Sequence, residues 1–385
     1  MPYYRPLKKE SASDRIRIVE GIQRIRQQFE DERFPVKKSS DTLILGTWNI
    51  RNFDDDRYNY GPRLKESLYY IAEIISRFDV IAVQEICADL WPLKRLMKIL
   101  GGNYDYIVTD VTHSSLGGNQ ERLGFIYDKN KVSFKGVAGE IVLPEKLVIS
   151  KAAGNKRQFS RTPFGVEFQS GWFKFYFSTV HIFFGSNQGN TPQYKRRVEE
   201  IKAVAKYLSK EAKNSDSNHI LVGDFNIKEH GSDGFNALED NGFKIVKNRS
   251  GSNRDQTKFY DQISFRSRKN ELTIVKPNRE DRVFQFFNSI FREEDFDVYK
   301  PIMKKMVAKK LKNAKKELEA STSKTEKKKL QNQIENMNEA VLTEDSLRKY
   351  YQEWRTFQAS DHLPLWVEIK IDFSDEYLKY LKALD

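Results

Sequence analysis

The sequence predicts an α+β fold, a β-sheet core with helices packed outside it. Three observations point there. Apolar runs of strand length recur through residues 42–270, 13% of the chain is aromatic with 26 Phe and 18 Tyr, and stretches of helical period lie between the runs. A chain of 385 residues with 39% hydrophobic content can bury a sizeable core, as one decorated domain or as two.

Residues 1–40 predict an appended helix, because Ile18, Ile22, Ile25 and Phe29 fall at i, i+4, i+7 and i+11, with Ser13 or Asp14 as the cap. A helix docked on the main domain accounts for that stripe better than a dimerisation arm. LILGTWNI (43–50), DVIAVQE (79–85) and HILVGDFN (219–226) read as buried strands, and FKFYFSTVH (173–181) reads as a strand by alternation. Pro62 at a first turn precedes Leu64, Leu68, Ile71, Ile75 and Phe78, and Thr191-Pro192 opens a second helix with Val198, Ile201, Ala205 and Leu208. The main domain then spans 41–385, interrupted over 280–355. There the aromatic cluster FQFFNSIF (284–291) leads into a Lys-rich stretch, and Leu330, Ile334, Met337 and Val341 repeat the helical spacing. With Ser323 and Glu326 as a capping box, this predicts an inserted helical hairpin. LPLWVEIKI (363–371) returns to strand periodicity, and Asp375 to Leu384 predicts a short terminal helix.

The net charge of +12 suggests an anionic partner such as nucleic acid or a lipid surface. Residues 301–330 hold 11 Lys against Glu317, Glu319 and Glu326, so +8 of the total sits in the insert. The single cysteine, Cys87, excludes an intrachain disulfide and fits a reducing compartment. The N-terminus has no apolar h-region, and no run of 18 apolar residues occurs, so a soluble, cytoplasmic protein without a membrane partner is expected. Oligomeric state and a protein regulator stay open.

Six short stretches carry the chemistry: TWNI (47–50), VQE (83–85), TVHIF (179–183), VGDFN (222–226), YDQI (260–263) and SDHLP (360–364). Each delivers a carboxylate, an amide or a histidine at or near the end of an apolar run. Phosphodiester hydrolysis needs a hard cation, a base or positioned water, and a donor for the leaving oxygen. Asn49, Glu85, Asp224, Asn226 and Asp361 supply oxygen donors suited to Mg²⁺, Mn²⁺ or Ca²⁺. His181 and His362 supply proton-transfer groups, and Asp261 can orient an imidazole. Without paired cysteines or HExxH spacing, zinc is disfavoured. Each stretch is weak taken singly, since GDFN occurs in ordinary turns and a lone histidine is more often structural. All six in one chain are a different matter.

In this order the set resembles the endonuclease/exonuclease/phosphatase superfamily, and most the DNase I-like branch. ERLGFIYDKNKV (121–132) and FSRTPFGVEF (159–168) resemble two further segments of that branch. The resemblance spans about 42–270 and 356–371. It implies a four-layer α/β/β/α sandwich of two packed mixed β-sheets flanked by helices. It also implies roles: Asn49, Glu85 and Asp361, with Asp224 close by, around Mg²⁺, and Arg161 and Asn226 on the scissile phosphate. His181 oriented by Asp261, and His362 oriented by Glu121, would act as base and acid.

The departures bear on substrate. Cys87 stands where the branch has a groove-reading arginine, and Asn119 where it has a tyrosine. The superfamily also hydrolyses abasic DNA, RNA and inositol phosphates, so the active-site set specifies the bond and not the substrate. FSRTP and YDQI favour a DNase-like endonuclease of low sequence specificity. The alternatives are a phosphatase or phosphodiesterase for inositol phosphates, abasic DNA or RNA, and a non-catalytic nucleic-acid-binding member. A Lys-rich insert could supply salt-sensitive contacts to backbone phosphates, or be a solvated helix pair.

Overall fold

Each apolar run becomes a strand in the computed structural model, which describes residues 2–37, 40–53, 56, 58–111, 119–147, 158–268, 271–275 and 281–383. Glu280 and Leu384, at the ends of two expected elements, lie outside these. The elements in chain order are α1 (Ala12–Asp31), β1 (Thr42–Phe53), α2 (Lys65–Ile75), β2 (Val80–Ile86), α3 (Trp91–Leu100), β3 (Tyr104–Val108) and β4 (Arg122–Asp128). There follow β5 (Ser133–Glu140), β6 (Phe164–Ser170), β7 (Phe173–His181), α4 (Pro192–Glu211), β8 (Asn218–Asp224), α5 (Asp233–Glu239), β9 (Lys244–Ile245), β10 (Asp261–Arg266) and β11 (Thr273–Ile274). The last are α6 (Phe296–Ala320), α7 (Lys324–Leu342), α8 (Glu344–Gln358), β12 (Leu365–Lys370) and α9 (Ser374–Lys382).

One sheet runs β11-β12-β1-β2-β4-β3 and the other β5-β6-β7-β8-β10-β9. Both are mixed, because β1–β2 and β7–β8 are parallel while β1–β12 and β8–β10 are antiparallel. Alternation decides what faces what. Phe173, Phe175 and Phe177 of β7, with Ile220 and Val222 of β8, enter the core between the sheets, whereas Val180 and Leu221 turn outward onto Ile201, Val204 and Leu208 of α4 and Phe235 of α5. On the other side α1 packs on α2, and Phe29 stacks on Phe284 with ring centroids 4.1 Å apart. The result is the four-layer α/β/β/α sandwich.

Three local expectations change. The cap of α1 is Ser11, whose Oγ accepts from the Asp14 N–H at 3.2 Å, two or three residues earlier than Ser13 or Asp14 would place it. Pro62 precedes α2, which begins at Lys65, and Phe78 follows its end. Ser323 Oγ accepts from the Glu326 N–H at 3.4 Å, but the Glu326 carboxylate turns to Ser321 Oγ at 2.6 Å in place of closing a reciprocal box.

The expected hairpin is α6 and α7, and α8 is a third helix that carries the chain back to β12. These helices are anchored on the loop after β1: Lys310 pairs with Asp56, Gln333 Nε2 donates to Asn59 Oδ1 at 2.9 Å, and Tyr350 lies 5.3 Å from Tyr60. No helix among the described residues is long and apolar enough to cross a membrane.

Candidate active site

The inner face of β7 reads Phe173, Phe175, Phe177, Thr179, His181, apolar until its last two positions. Register then sets His181 beside Asp224 at the end of β8, and Asp224 beside Asp261 at the start of β10, in one lateral row. Asn49 reaches this row from the facing sheet. Its Nδ2 donates to Asp224 Oδ2 at 3.1 Å and to Glu85 Oε1 at 2.9 Å. Beneath it Gln84 Nε2 donates to Thr47 Oγ1 at 3.1 Å and to Thr179 Oγ1 at 2.8 Å, tying the sheets together.

Local backbone geometry places the remaining groups. Glu85 has a φ of 60°, a left-handed conformation uncommon outside glycine, and the Asn52 N–H donates to its Oε2 at 2.7 Å. Gly223 precedes Asp224 because β8 passes so close to β7 there that a Cβ would lie 2.1 Å from the Val180 carbonyl oxygen. Asn226, with a φ of 54°, donates its N–H to Asp224 Oδ1 and its Nδ2 to the Ile182 oxygen, both at 2.9 Å. Ser360 fixes the SDH loop: its Oγ donates to the Asn49 oxygen at 2.6 Å and accepts from the N–H groups of Arg51 and His362 at 3.1 and 3.0 Å. Asp361 is the most exposed member, 3.9 Å from Arg51 Nε.

The expected histidine pairings are exchanged. His362 Nδ1 lies 2.8 Å from Asp261 Oδ2, and His181 Nδ1 lies 3.1 Å from Glu121 Oε2. Sheet order gives the reason. Within one sheet β8 separates β7 from β10, so His181 and Asp261 stand two strand spacings apart, roughly 9–10 Å. In the other, β1 and β2 separate β12 from β4 and hence His362 from Glu121. Across the gap, β4 faces β7 and β12 faces β10, so each pair joins one sheet to the other.

The two pairs leave both Nε2 atoms directed at one carboxylate, 3.5 Å (His181) and 3.8 Å (His362) from Asp224 Oδ2. Burial penalises charge on His362, but Asp261 and Asp224 outweigh it and hold the imidazole well above its ordinary pKa. Burial also raises Asp261, against the pull of His362. Burial would raise Glu121 too, yet His181 and Arg161, whose Nε donates to Glu121 Oε2 at 2.6 Å, hold it down at about 2. Glu85 is pushed up by burial and by the neighbouring charges of Glu121 and Asp361, with His181 opposing.

That crowding of acids fits a cation. The donors at Asn49, Glu85 and Asp361 are oxygens, and Asn49 Oδ1 is buried with no hydrogen-bond partner among the described residues. Asp224, Asp261 and His362 also lie close enough to share an ion. The His362–Asp261 hydrogen bond uses His362 Nδ1 and Asp261 Oδ2, whereas Asp261 Oδ1 has no hydrogen-bond partner among the described residues.

Every residue expected from the sequence thus lies at one end of the sandwich. Asn52, Ser360 and Gln84 were missed as supports. Gln84 and Ser360 stand inside VQE and SDHLP, whereas Asn52 acts through its backbone and leaves no signal. Tyr260, its ring 5.6 Å from that of His362, was visible in YDQI only as a neighbour of Asp261. A cavity of about 1120 Å³ between Leu143, Tyr207 and Arg266 contains none of these residues.

Among solved structures, a mannosyl-6-phosphatase from Bacteroides thetaiotaomicron is 19% identical, over 60% of this chain and 87% of that one, with a TM-score of 0.44. An endonuclease/exonuclease/phosphatase family protein from the same organism is 16% identical over 86% of this chain and 99% of that one, at 0.49. The human Nocturnin catalytic domain with bound sulfate anion is 13% identical over 63% and 90%, at 0.43. None of these likenesses bears on substrate. No curated protein matches the sequence. The sequence model described as "Endonuclease/Exonuclease/phosphatase family" matches residues 46–273, more than half of the chain and all but the SDHLP stretch of its six motifs. The chain belongs to the endonuclease/exonuclease/phosphatase family.

Proposed function

We propose that this chain is a metal-dependent phosphodiesterase that nicks or cuts DNA with little sequence specificity, by attack of water on the phosphate. The observation that carries the reading is the pair of imidazole–carboxylate couples, His181 with Glu121 and His362 with Asp261, turned toward one carboxylate, Asp224. Asn49, Glu85 and Asp361, with Asp224 close by, would hold Mg²⁺, with Mn²⁺ or Ca²⁺ as alternatives. Such an ion supplies charge neutralisation at the phosphate.

The residues of the chain do the rest. His362, kept cationic by two carboxylates, stabilises charge on the phosphate and gives a proton from Nε2 to the leaving oxygen. His181, oriented through Nδ1 by an ionised Glu121, takes the complementary part toward the attacking water. Arg161 spends Nε on Glu121 and has its Nη donors for the phosphate, beside Asn226. DNA is favoured over a small phosphoester by the lysines of α6 and α7: Lys304, Lys305, Lys309, Lys312, Lys315 and Lys316 of α6 are all exposed, on helices anchored beside the rim.

Supercoiled plasmid, linear single strands, an abasic duplex, RNA and an inositol polyphosphate, each with Mg²⁺ or EDTA, test the reading. Plasmid relaxation with Mg²⁺ and none with EDTA is expected. Glu85→Ala, His181→Ala and His362→Ala should each lower kcat on the order of 10²–10⁴-fold. Turnover of the inositol polyphosphate with the plasmid left intact would transfer the enzyme to the phosphatases. Unchanged turnover in the three variants would remove the assigned roles altogether.

A further inference from the structure

Beside Asn226 the surface folds into a cavity of about 220 Å³ whose walls include Asn187, Tyr194, Arg197 and Lys228. Arg197 of α4 is unusual there. Its side chain is almost wholly buried, its Nη2 donates to the Ser186 oxygen at 3.0 Å, and its Nη1 has no partner among the described residues. Among those residues no carboxylate pairs with it; its guanidinium lies over the rings of Tyr194 and Phe184, at 5.1 and 5.8 Å. A buried guanidinium without a carboxylate is costly unless an anion completes it. Lys228 contributes a second positive charge, its Nζ held by the Asn187 oxygen at 3.0 Å. Of the nearby acids, Asp233 is engaged by the Tyr194 hydroxyl at 3.1 Å, and Glu229, which also lines the cavity, is exposed to solvent.

We propose that Arg197 and Lys228 form a subsite for a second phosphate of the substrate, next to the phosphate that is cleaved. The proposal rests on the phosphodiesterase reading and deepens it. Asn226 lines the cavity and its N–H donates to Asp224 of the catalytic row, so a substrate lying across it presents one phosphate to the histidines and the next to Arg197. The guanidinium offers the planar donors that suit a phosphate, and the lysine acts as a point charge at its mouth. The second phosphate could be a neighbouring backbone diester or a terminal monoester; the chemistry of recognition is the same.

Three thymidine oligomers separate these sources: TpT with one phosphodiester, TpTpT with two, and pTpT with one diester and a terminal monoester. Wild type should favour TpTpT or pTpT over TpT through KM, roughly tenfold, and Arg197→Gln and Lys228→Gln should each erase that preference. Preference for TpTpT assigns the site to a backbone phosphate, and preference for pTpT to a terminal one. Lys228 is partly exposed, so its variant tests the idea even if Arg197→Gln fails to fold. Inorganic pyrophosphate binding, measured by calorimetry in EDTA, gives a readout that needs no turnover, because the acidic catalytic row without its ion repels the probe. Binding that weakens roughly tenfold in Lys228→Gln supports the subsite even if TpT is never cut, an outcome that would refute the phosphodiesterase reading alone. Equal pyrophosphate binding in wild type and both variants, or a substrate preference that survives them, overturns the proposal.

Discussion

His219 is the buried histidine that the chemistry does not use. Both ring nitrogens lack partners among the described residues, Tyr176 lies 5.5 Å away, and burial pushes its pKa from 6.5 to about 4, with Glu167 opposing. Between those values the unfolded chain takes up a proton and the folded one does not. Stability from this site is therefore complete above about pH 6.5 and is lost as pH falls toward 4, on the order of 3 kcal/mol in all. His219→Phe should flatten that part of the acid limb in urea unfolding followed from pH 7 to 4.5; an unchanged slope would refute the assignment. Histidines also show where the residue scale was legible. Every expected site residue arrived at the same end of the sandwich, because an apolar strand that ends in a polar group announces its rim. The partner of each imidazole was not legible, since spacing along a chain does not say which strands face each other across a gap. Arg197 was hidden for a related reason: in the run Lys195-Arg196-Arg197 it reads as one more solvated charge on a helix.

Strand contact makes a single glycine decisive. Gly223 has a φ of 127° and β8 touches β7 at the Val180 backbone, so Gly223→Ala forces two strands apart and shifts Asp224 with them. The variant should lose both thermal stability and turnover, read by calorimetry and plasmid relaxation; a stable, inactive protein would mean that the strands adapt and only Asp224 moves. For the insert, the strip of exposed lysines makes salt dependence the natural probe. Lys312, Lys315 and Lys316 changed together to Gln should reduce the slope of log K against log salt for duplex binding by up to about 0.9 for each phosphate no longer neutralised. Hydrolysis of bis(p-nitrophenyl) phosphate should persist, because these side chains are exposed on α6 and are not among the groups assigned to the phosphate or the ion. An unaltered slope would leave the helices a structural role only. The hairpin was legible from periodicity, but α8 was not: its anchors, Tyr351, Trp354 and Arg355, pack on Phe291, Phe287 and Tyr299, joining distant parts of the chain.

At the scale of the molecule, α1 seals one outer layer. Ile18, Ile22, Ile25 and Phe29 are all buried, and Arg17 and Arg26 pair with Glu66 and Glu73 of α2 at 2.6 and 2.8 Å. Four such side chains, at about 1.5–3 kcal/mol each, rival the whole stability of an ordinary domain. Expression without residues 2–33 should give insoluble protein, judged by sedimentation and size exclusion. A monodisperse truncated protein with native activity would show α1 to be an accessory.

The crossed histidine pairs have a further consequence. Glu121 and His362 belong to one half of the sandwich and His181 and Asp261 to the other, so neither half carries a complete proton-transfer couple. Catalytic competence is therefore a reporter of sheet docking. During refolding, hydrolysis should appear only with the last burial of the Phe125, Phe168 and Phe177 rings, after strand formation is complete by circular dichroism. Under the proposed function, a half-assembled molecule would present its lysines to a polyanion before it holds either complete couple, so cleavage would wait until the chain has finished folding.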